Sequence, residues 1–471
     1  MIVRRAGRLA LLEAAASPST DSPVIVSNAR SALLRTGVAL LETLVGATPS
    51  VYVLVVRNDL ASAAAIVAAA QSKHVVVLLP ASRLHLLEYA IAQTGAASIV
   101  DATASTVALT TTPPTSVPAW PLAAFGRDGG VCMLTSGSTG TSKVVACSWP
   151  SMYAQGDATQ AAMFPRRPCR FVLASSIAHA YAINALFAIM TSPHGDMSTL
   201  VMSSGMDALV PVLSTPAPHA VTIVFGTPGT YAPLLQLVQP VPLFADLAYS
   251  AGVTLPTEMH TALRRDFGLA LVQNYGSTET GGIAAGGIRP GVAPPTHDRL
   301  ANAGALWPGA VVRVQKPSVG MVCRDGEDGE LVVQTPWQCA GYVEQQALVR
   351  ISADGFYRTS DGGAVVDGHV FVGDRLRAPV RFRTGTFTLF VPRHELEDAV
   401  LQHPTISDAL MPVVEALPEK VVLLVVTSLP EHEVAIVCRS LLPSYVSTID
   451  IRKVQHLACS AAGKLLYSIP E

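Results

Sequence analysis

At 471 residues the chain is longer than one hydrophobic core usually serves, so two or more domains are expected. Half of its residues are apolar and only 14% are Asp, Glu, Lys or Arg, which excludes a disordered chain and points to a largely buried fold. Lys and Arg total 32 against 34 Asp and Glu, so no excess of positive charge draws the chain onto nucleic acid or anionic lipid, and any phosphate it handles must be met locally.

Arg4, Arg5 and Arg8, with no acid among the first twelve residues, are the one feature that would suit an organelle address. The serine-rich length of a transit peptide is missing, so a cytoplasmic location is expected. The seven cysteines are odd in number, scattered and without a Cys-x-x-Cys pair. That indicates neither a disulfide framework nor a zinc site, and fits a reducing compartment. From Pro23 onward short Val/Ile/Leu runs alternate with longer Ala/Leu stretches. Strands are expected at 51–56, 75–79 and 98–100, with helices at 60–71 and 84–93 between them. This is an α/β layout, and no apolar stretch reaches the roughly 20 residues of a membrane span. Thr110 to Pro121, rich in Thr and Pro, reads as a surface loop leading into the next strand.

Next comes the apolar lead-in Val131-Cys132-Met133 and then Leu134-Thr135-Ser136-Gly137-Ser138-Thr139-Gly140-Thr141-Ser142-Lys143. Hydroxyls, glycines and a lysine crowded together offer many donors to a polyphosphate and let the backbone come close. A Walker-type P-loop would need Gly before the lysine and Ser or Thr after it, where this chain has Ser142 and Val144. A polar surface turn has the same composition and remains the plain alternative. Farther on, a strand-like run at 269–272 leads into Asn274-Tyr275-Gly276-Ser277-Thr278-Glu279-Thr280-Gly281-Gly282. Here a tyrosine could stack on a planar ring and a glutamate could hold Mg²⁺.

From Gly304 on, Trp307-Pro308-Gly309, Gly329-Glu330 and Asp354-Gly355 punctuate Val-rich runs, as turns between β-strands do. In Tyr357-Arg358-Thr359-Ser360-Asp361-Gly362, Asp361 is read at a turn, where it could accept from the two hydroxyls of a ribose or simply form an Asp-Gly hairpin. After Gly373 the pattern changes again: a basic stretch from Arg375 to Arg383, a helix-like segment at 393–402, and strands at 421–426 and 448–451. A boundary is therefore set at 372–375, giving domains 1–372 and 373–471. Gly463-Lys464 lies near the end, where a lysine taken alone is a solvated residue.

These segments, in this order, resemble the adenylate-forming superfamily of acyl-CoA synthetases, firefly luciferase and peptide-synthetase adenylation domains. The matching pieces are 134–143, Tyr-Gly-Ser-Thr-Glu at 275–279, Gly-Glu-Leu at 329–331, Tyr-Arg-Thr-x-Asp at 357–361 and Gly-Lys at 463–464, spread over more than 300 residues. The resemblance implies a large N-terminal domain of stacked sheets flanked by helices with a β-rich subdomain, and a small mobile α+β C-terminal domain. It implies that Thr135, Ser136, Gly137, Ser138, Thr139, Gly140 and Lys143 hold the outer phosphates of ATP, that Thr278 and Glu279 meet the α-phosphate and Mg²⁺, and that Asp361 binds the ribose. Ser250-Ala251-Gly252 would lie against adenine, Tyr275 would cover its other face, and Asn274, Gly276 and the hinge residue Arg375 would complete the nucleotide site. His179, in an apolar run that would equally suit a core histidine, matches a position bordering the carboxylate pocket. Lys464 would bridge carboxylate and α-phosphate.

The chain departs from the family's usual pattern at Ser142-Lys143-Val144 for Pro-Lys-Gly, at Ser360 for Gly, and at Gly373-Asp374-Arg375 for Gly-Arg. What is implied is ATP-dependent activation of a carboxylic acid and transfer of the acyl group to coenzyme A. A carrier protein as acceptor, or a homologue that binds nucleotide without turnover, are the alternatives. No acid stands near Ala248 to Gly252 to receive a substrate ammonium, and Gly281, Gly282, Ala284 and Ala285 are read as leaving room for an apolar chain or ring. A fatty or aryl acid is the resulting expectation.

Overall fold

The computed structural model describes residues 23–471 apart from 45–49, 104–105, 110–118, 136–142, 165, 204–205, 218, 238, 253–254, 256, 287–299, 317–320, 377–379, 385–386, 392–395, 398–399, 401–402, 415–420, 443–445, 447–448, 459–467 and 470–471. Contacts group these residues into two units, one of 23–135 with 143–374 and one from Arg375 on.

The first unit holds two large sheets. Eight strands form one, in the order Ala347–Val349, Gly341–Glu344, Lys143–Ser148, Gly130–Thr135, Val75–Pro80, Val51–Val56, Ser98–Asp101 and Thr106–Leu109. Its four strands from Gly130–Thr135 to Ser98–Asp101 are parallel, and the strands beyond them on either side pair antiparallel. The runs Val-Tyr-Val-Leu-Val-Val and Val-Val-Val-Leu-Leu-Pro are buried at every position, as strands covered on both faces must be. Between them Leu60–Gln71 forms a helix whose first turn is capped by Asp59, its side chain accepting from the Ser62 N–H at 2.7 Å. Arg57 and Asp101 pair at 2.9 Å, tying the ends of two neighbouring strands.

The other sheet has twelve strands: Val24–Val26, Thr199–Met202, Cys169–Leu173, Val221–Gly226, Leu247–Ser250, Leu271–Ser277, Gly281–Ala285, Ala301–Leu306, His369–Arg375, Tyr357–Val366, Gly329–Gln334 and Val311–Gln315. Strand Leu271–Ser277 is the pivot, parallel to Leu247–Ser250 on one side and antiparallel to Gly281–Ala285 on the other. Residues of both sheets share one core with the helices Ala29–Leu44, Leu60–Gln71, Trp149–Met163 and Ala180–Thr191. The expected α/β fold of stacked sheets flanked by helices is present, with a β-rich portion after the pivot.

Two local expectations are corrected. Residues 84–93 do not form one helix: a 3₁₀ turn, Ala81–Leu86, leads into an α-helix, Leu87–Thr94. The loop read over 110–121 lies outside the described residues up to 118, and Trp120 with Pro121 opens a helix, Trp120–Phe125. Proline suits a first helical turn, where its missing N–H has no partner to lose, and the buried Trp120 indole donates to Thr94 O at 2.8 Å.

The second unit is α+β. A three-stranded sheet, Ile406–Leu410, Val422–Thr427 and Asp450–Val454, carries the helix Glu431–Leu441 over a core of Leu396, Val400, Leu423, Val425, Val434 and Cys438. A hairpin joins Val380–Thr384 to Phe387–Val391. Among the described residues no helix is long and apolar enough to cross a membrane, and the six described cysteines are free thiols.

Candidate active site

The turn at 278–280 joins the pivot strand to Gly281–Ala285, and its geometry is fixed by hydroxyls at both ends. Ser277 N–H donates to Thr280 Oγ1 and Thr280 N–H donates to Ser277 Oγ, each at 3.2 Å. The segment between strands Gly329–Gln334 and Gly341–Glu344 then holds the turn's carbonyls. Thr335 donates to Thr280 O at 2.6 Å, and the Cys339 N–H to Glu279 O at 2.7 Å. With its backbone so held, Glu279 is buried, only 9% exposed as a residue.

That carboxylate is met by a residue from the eight-stranded sheet. Tyr342 donates its hydroxyl to Glu279 Oε1 at 3.0 Å and stands 3.5 Å from the Tyr357 hydroxyl. Strand pairing sets Tyr342 opposite Val145, two residues from Lys143 on the same strand, and the Lys143 ammonium lies 4.8 Å from the centre of the Tyr342 ring. Burial, the Glu279 charge and Tyr357 all push the Tyr342 phenol far above its ordinary range, so it stays a neutral donor.

Asp361 does not stand at a turn. It lies within the strand Tyr357–Val366, which slips register against Gly329–Gln334 between Glu330 and Val332. An Asp-Gly pair reads as a turn in sequence, but here the local kink is taken up by Ser360, at φ +59°, in the left-handed region that favours glycine. Asp361 N–H donates to Thr359 Oγ1 at 3.0 Å, and Tyr275 donates its hydroxyl to Asp361 Oδ2 at 2.8 Å. The two residues assigned to ribose and adenine are therefore in direct contact. Arg358 pairs with Glu330, joining the Tyr-Arg-Thr and Gly-Glu-Leu segments.

Ser250 and Ala251 are buried at the C-terminal end of Leu247–Ser250, and Gly252, exposed at φ +90°, follows. In open α/β sheets ligands bind in the crevice outside those strand ends. Asn274 is buried and turns its amide to the Met163 sulfur at 3.5 Å, so its side chain serves the core. Gly276 is exposed beside it. His179 is exposed at the start of helix Ala180–Thr191, which removes the core-histidine reading. Thr135 and Lys143 pair across the ends of their strands. Between them Ser136, Gly137, Ser138, Thr139 and Gly140 lie outside the described residues, as does Lys464. Arg375 ends strand His369–Arg375, and its side chain is likewise outside the description.

The room expected beside Gly281, Gly282, Ala284 and Ala285 is absent. A Cβ on Gly281 would meet Trp337 at 2.5 Å, and one on Gly282 the Trp307 ring at 2.3 Å. The two glycines admit the two indoles, and Ala284 and Ala285 are buried. A cleft of about 420 Å³ lined by Arg167, His219, Phe244 and Asp246 sits at the opposite, N-terminal ends of the parallel strands, away from this site. Among the described residues no three His, Cys, Asp or Glu side chains group to cage a metal. A single carboxylate such as Glu279 would fit Mg²⁺ arriving with a polyphosphate, since that ion keeps waters and phosphate oxygens as its other ligands and takes one or two carboxylates from a protein.

Residues 31–343 match the family described as AMP-binding enzyme. The 4-coumarate-CoA ligase 2 of Narcissus pseudonarcissus is 30% identical over 168 residues, 35% of this chain and 28% of its own. The sulfoacetate-CoA ligase of Cupriavidus necator is 27% identical over 289 residues, 59% of this chain and 52% of its own. The chain thus spans about half the length, or less, of these curated relatives. Among solved structures, the O-succinylbenzoate coenzyme A synthetase of Bacillus subtilis in complex with ATP and magnesium ion shares the fold at a TM-score of 0.63 and 20% identity, covering 97% of this chain and 93% of that one.

Proposed function

The chain belongs to the family of AMP-binding enzymes, the adenylate-forming superfamily, and on that premise we propose that it joins AMP from ATP to a carboxylic acid and passes the acyl group to coenzyme A. The observation that carries this reading is the convergence, in one unit, of the Tyr275–Asp361 contact with the Lys143, Tyr342 and Glu279 cluster. A planar base, a ribose and a polyphosphate ask for those three chemistries.

A carboxylate acylates poorly because its leaving group would be oxide. In the first step its oxygen attacks the α-phosphorus, the bond to the β-phosphate oxygen breaks, and pyrophosphate departs with the electron pair. Catalysis is mainly positioning and neutralisation of charge. Asp361 accepts from the ribose hydroxyls, Tyr275 braces Asp361 and covers the base, and Lys143 with the 135–140 segment neutralises the outer phosphates. Glu279 would hold Mg²⁺, which supplies positive charge to the phosphates when bound. In the second step the thiol sulfur attacks the acyl carbon, the bond to the phosphate oxygen breaks, and AMP leaves while the thiol proton passes to solvent.

We assign residues 1–372 to nucleotide binding and 373–471 to a mobile lid domain whose Lys464 serves the first step alone. For the acid we propose a fatty or aryl chain, supported by the lack of an acidic residue from Ala248 to Gly252 to receive a substrate ammonium rather than by the small residues after Tyr275. The reducing cytoplasm suits the free thiols. A screen of acids by ATP–pyrophosphate exchange, followed by assay of thioester with coenzyme A, tests this. Exchange with amino acids only would overturn the choice of acid, adenylate without acyl-CoA would point to a carrier protein, and ATP binding without pyrophosphate release would refute the enzyme. Lys464→Ala should slow adenylation roughly a hundredfold to ten-thousandfold yet still make thioester from pre-formed acyl-adenylate; equal loss in both half-reactions would rule out the lid.

A further inference from the structure

Tyr342 belongs to none of the segments that suggested a nucleotide site, yet it is the side chain at which Lys143, Glu279 and Tyr357 meet. We propose that Tyr342 is a positioning residue of the adenylation step: its hydroxyl orients the Glu279 carboxylate, and its ring keeps the Lys143 ammonium apart from that carboxylate, so that each charge is kept for the metal-nucleotide. The inference rests on the nucleotide-site reading above.

A phenol has one hydrogen to give. Glu279 Oε1 at 3.0 Å and the Tyr357 oxygen at 3.5 Å both stand where they could receive it, and the nearer, charged acceptor takes it, so the hydrogen ends on the carboxylate. A buried carboxylate held by a charge-assisted bond keeps one orientation, which matters for a group that must present an oxygen to an ion. The ring does a second job. Lys143 and Glu279 carry opposite charges beside the same side chain, and no ion pair joins them among the described residues. The ammonium instead rests near the ring, an attraction that leaves its three N–H donors available to phosphate. The spacer is itself fixed. Strand pairing sets Tyr342 against Val145, and Gly341 just before it approaches Val349 so closely that a Cβ would stand 2.3 Å from the Val349 carbonyl oxygen.

Two variants separate the two jobs, with calorimetric ATP binding measured with and without Mg²⁺. Tyr342→Phe keeps the ring and removes the hydroxyl. It should weaken ATP binding in the presence of Mg²⁺ by about tenfold, the lower end of what a hydrogen bond to a charged group contributes, and leave metal-free ATP binding unchanged. Tyr342→Leu removes the ring as well and should also weaken metal-free binding, an added loss that disappears when Lys143 is already Ala. In exchange assays the Phe variant should raise the Mg²⁺ concentration for half-maximal rate with a smaller effect on the acid's KM. Equal loss with and without metal in the Phe variant, or no loss in either, would overturn the proposal, and this variant decides the matter even if the Leu variant does not fold. A wild-type protein that binds no ATP would instead sink the nucleotide-site reading, and this inference with it.

Discussion

Parallel and antiparallel strands divide the labour of the large unit differently. Val51–Val56 and Val75–Pro80 are buried along their whole length and bring no polar side chain to the site. After the pivot strand, Gly281–Ala285 is also fully buried, but Gly341–Glu344 alternates buried and accessible positions and Tyr357–Val366 is accessible at most of its positions; these two and the turn at 278–280 bring Glu279, Tyr342, Tyr357 and Asp361. A strand covered on both faces has no side chain to spare for a ligand, whereas a strand with one accessible face has every second residue available. The fully buried strands make the platform, and the accessible antiparallel ones, with the turn at 278–280, furnish most of it.

That contrast can be broken by substitution. Leu54→Ala, in the middle of the parallel set, should cost roughly 2–5 kcal/mol of stability through the cavity it leaves, read by denaturant unfolding, with ATP affinity of the folded protein unchanged. A loss of affinity without loss of stability would erase the distinction. Glu279→Gln should do the reverse: slow pyrophosphate exchange by roughly a hundredfold with an unchanged unfolding midpoint. A wild-type rate across a magnesium titration would remove Glu279 from the metal. Asp361→Asn keeps an acceptor for Tyr275 but loses the charge and one acceptor oxygen, so the KM for ATP should rise about tenfold while kcat moves less; an equal fall in kcat would place Asp361 at the reacting atoms instead. The smallest effect sharpens the picture at the strand itself. Ser360→Gly should stabilise the protein by about 0.5 kcal/mol, relief of a left-handed backbone less the added freedom of the unfolded chain, and a lowered midpoint would mean that the seryl side chain contributes more than its backbone costs.

Much of this was legible from residues alone, for reasons that differ by region. Runs such as Val-Tyr-Val-Leu-Val-Val announce a buried strand because their apolarity is continuous, and the longer Ala-rich stretch at 60–71 between two such runs matches the helix at both ends. Glu279 and Asp361 stood out through their glycine-rich and Tyr-Arg-Thr surroundings. Asp361 was nevertheless misread as a turn residue, because an Asp-Gly pair cannot show that the kink sits one position earlier, at Ser360. Gly281 and Gly282 were misread as space for a ligand. Smallness says that something comes close without saying what, and here it is Trp337 and Trp307. Tyr342 gave no signal at all. Its role depends on the pairing of position 342 with 145, a match made in three dimensions between segments that share no local pattern.

The same pairing sets a timetable for synthesis. Strand Lys143–Ser148 receives its partner, Gly341–Glu344, only after about 200 further residues have been added, roughly 10–40 s at ordinary elongation rates. For that interval the early sheet presents an apolar edge, with Val144, Val145 and Ala146 in its middle, to whatever else is in reach. The nascent chain is therefore most exposed to mispairing before its nucleotide site exists, and a chaperone that covers that edge would act in this window, ahead of any benefit from ATP.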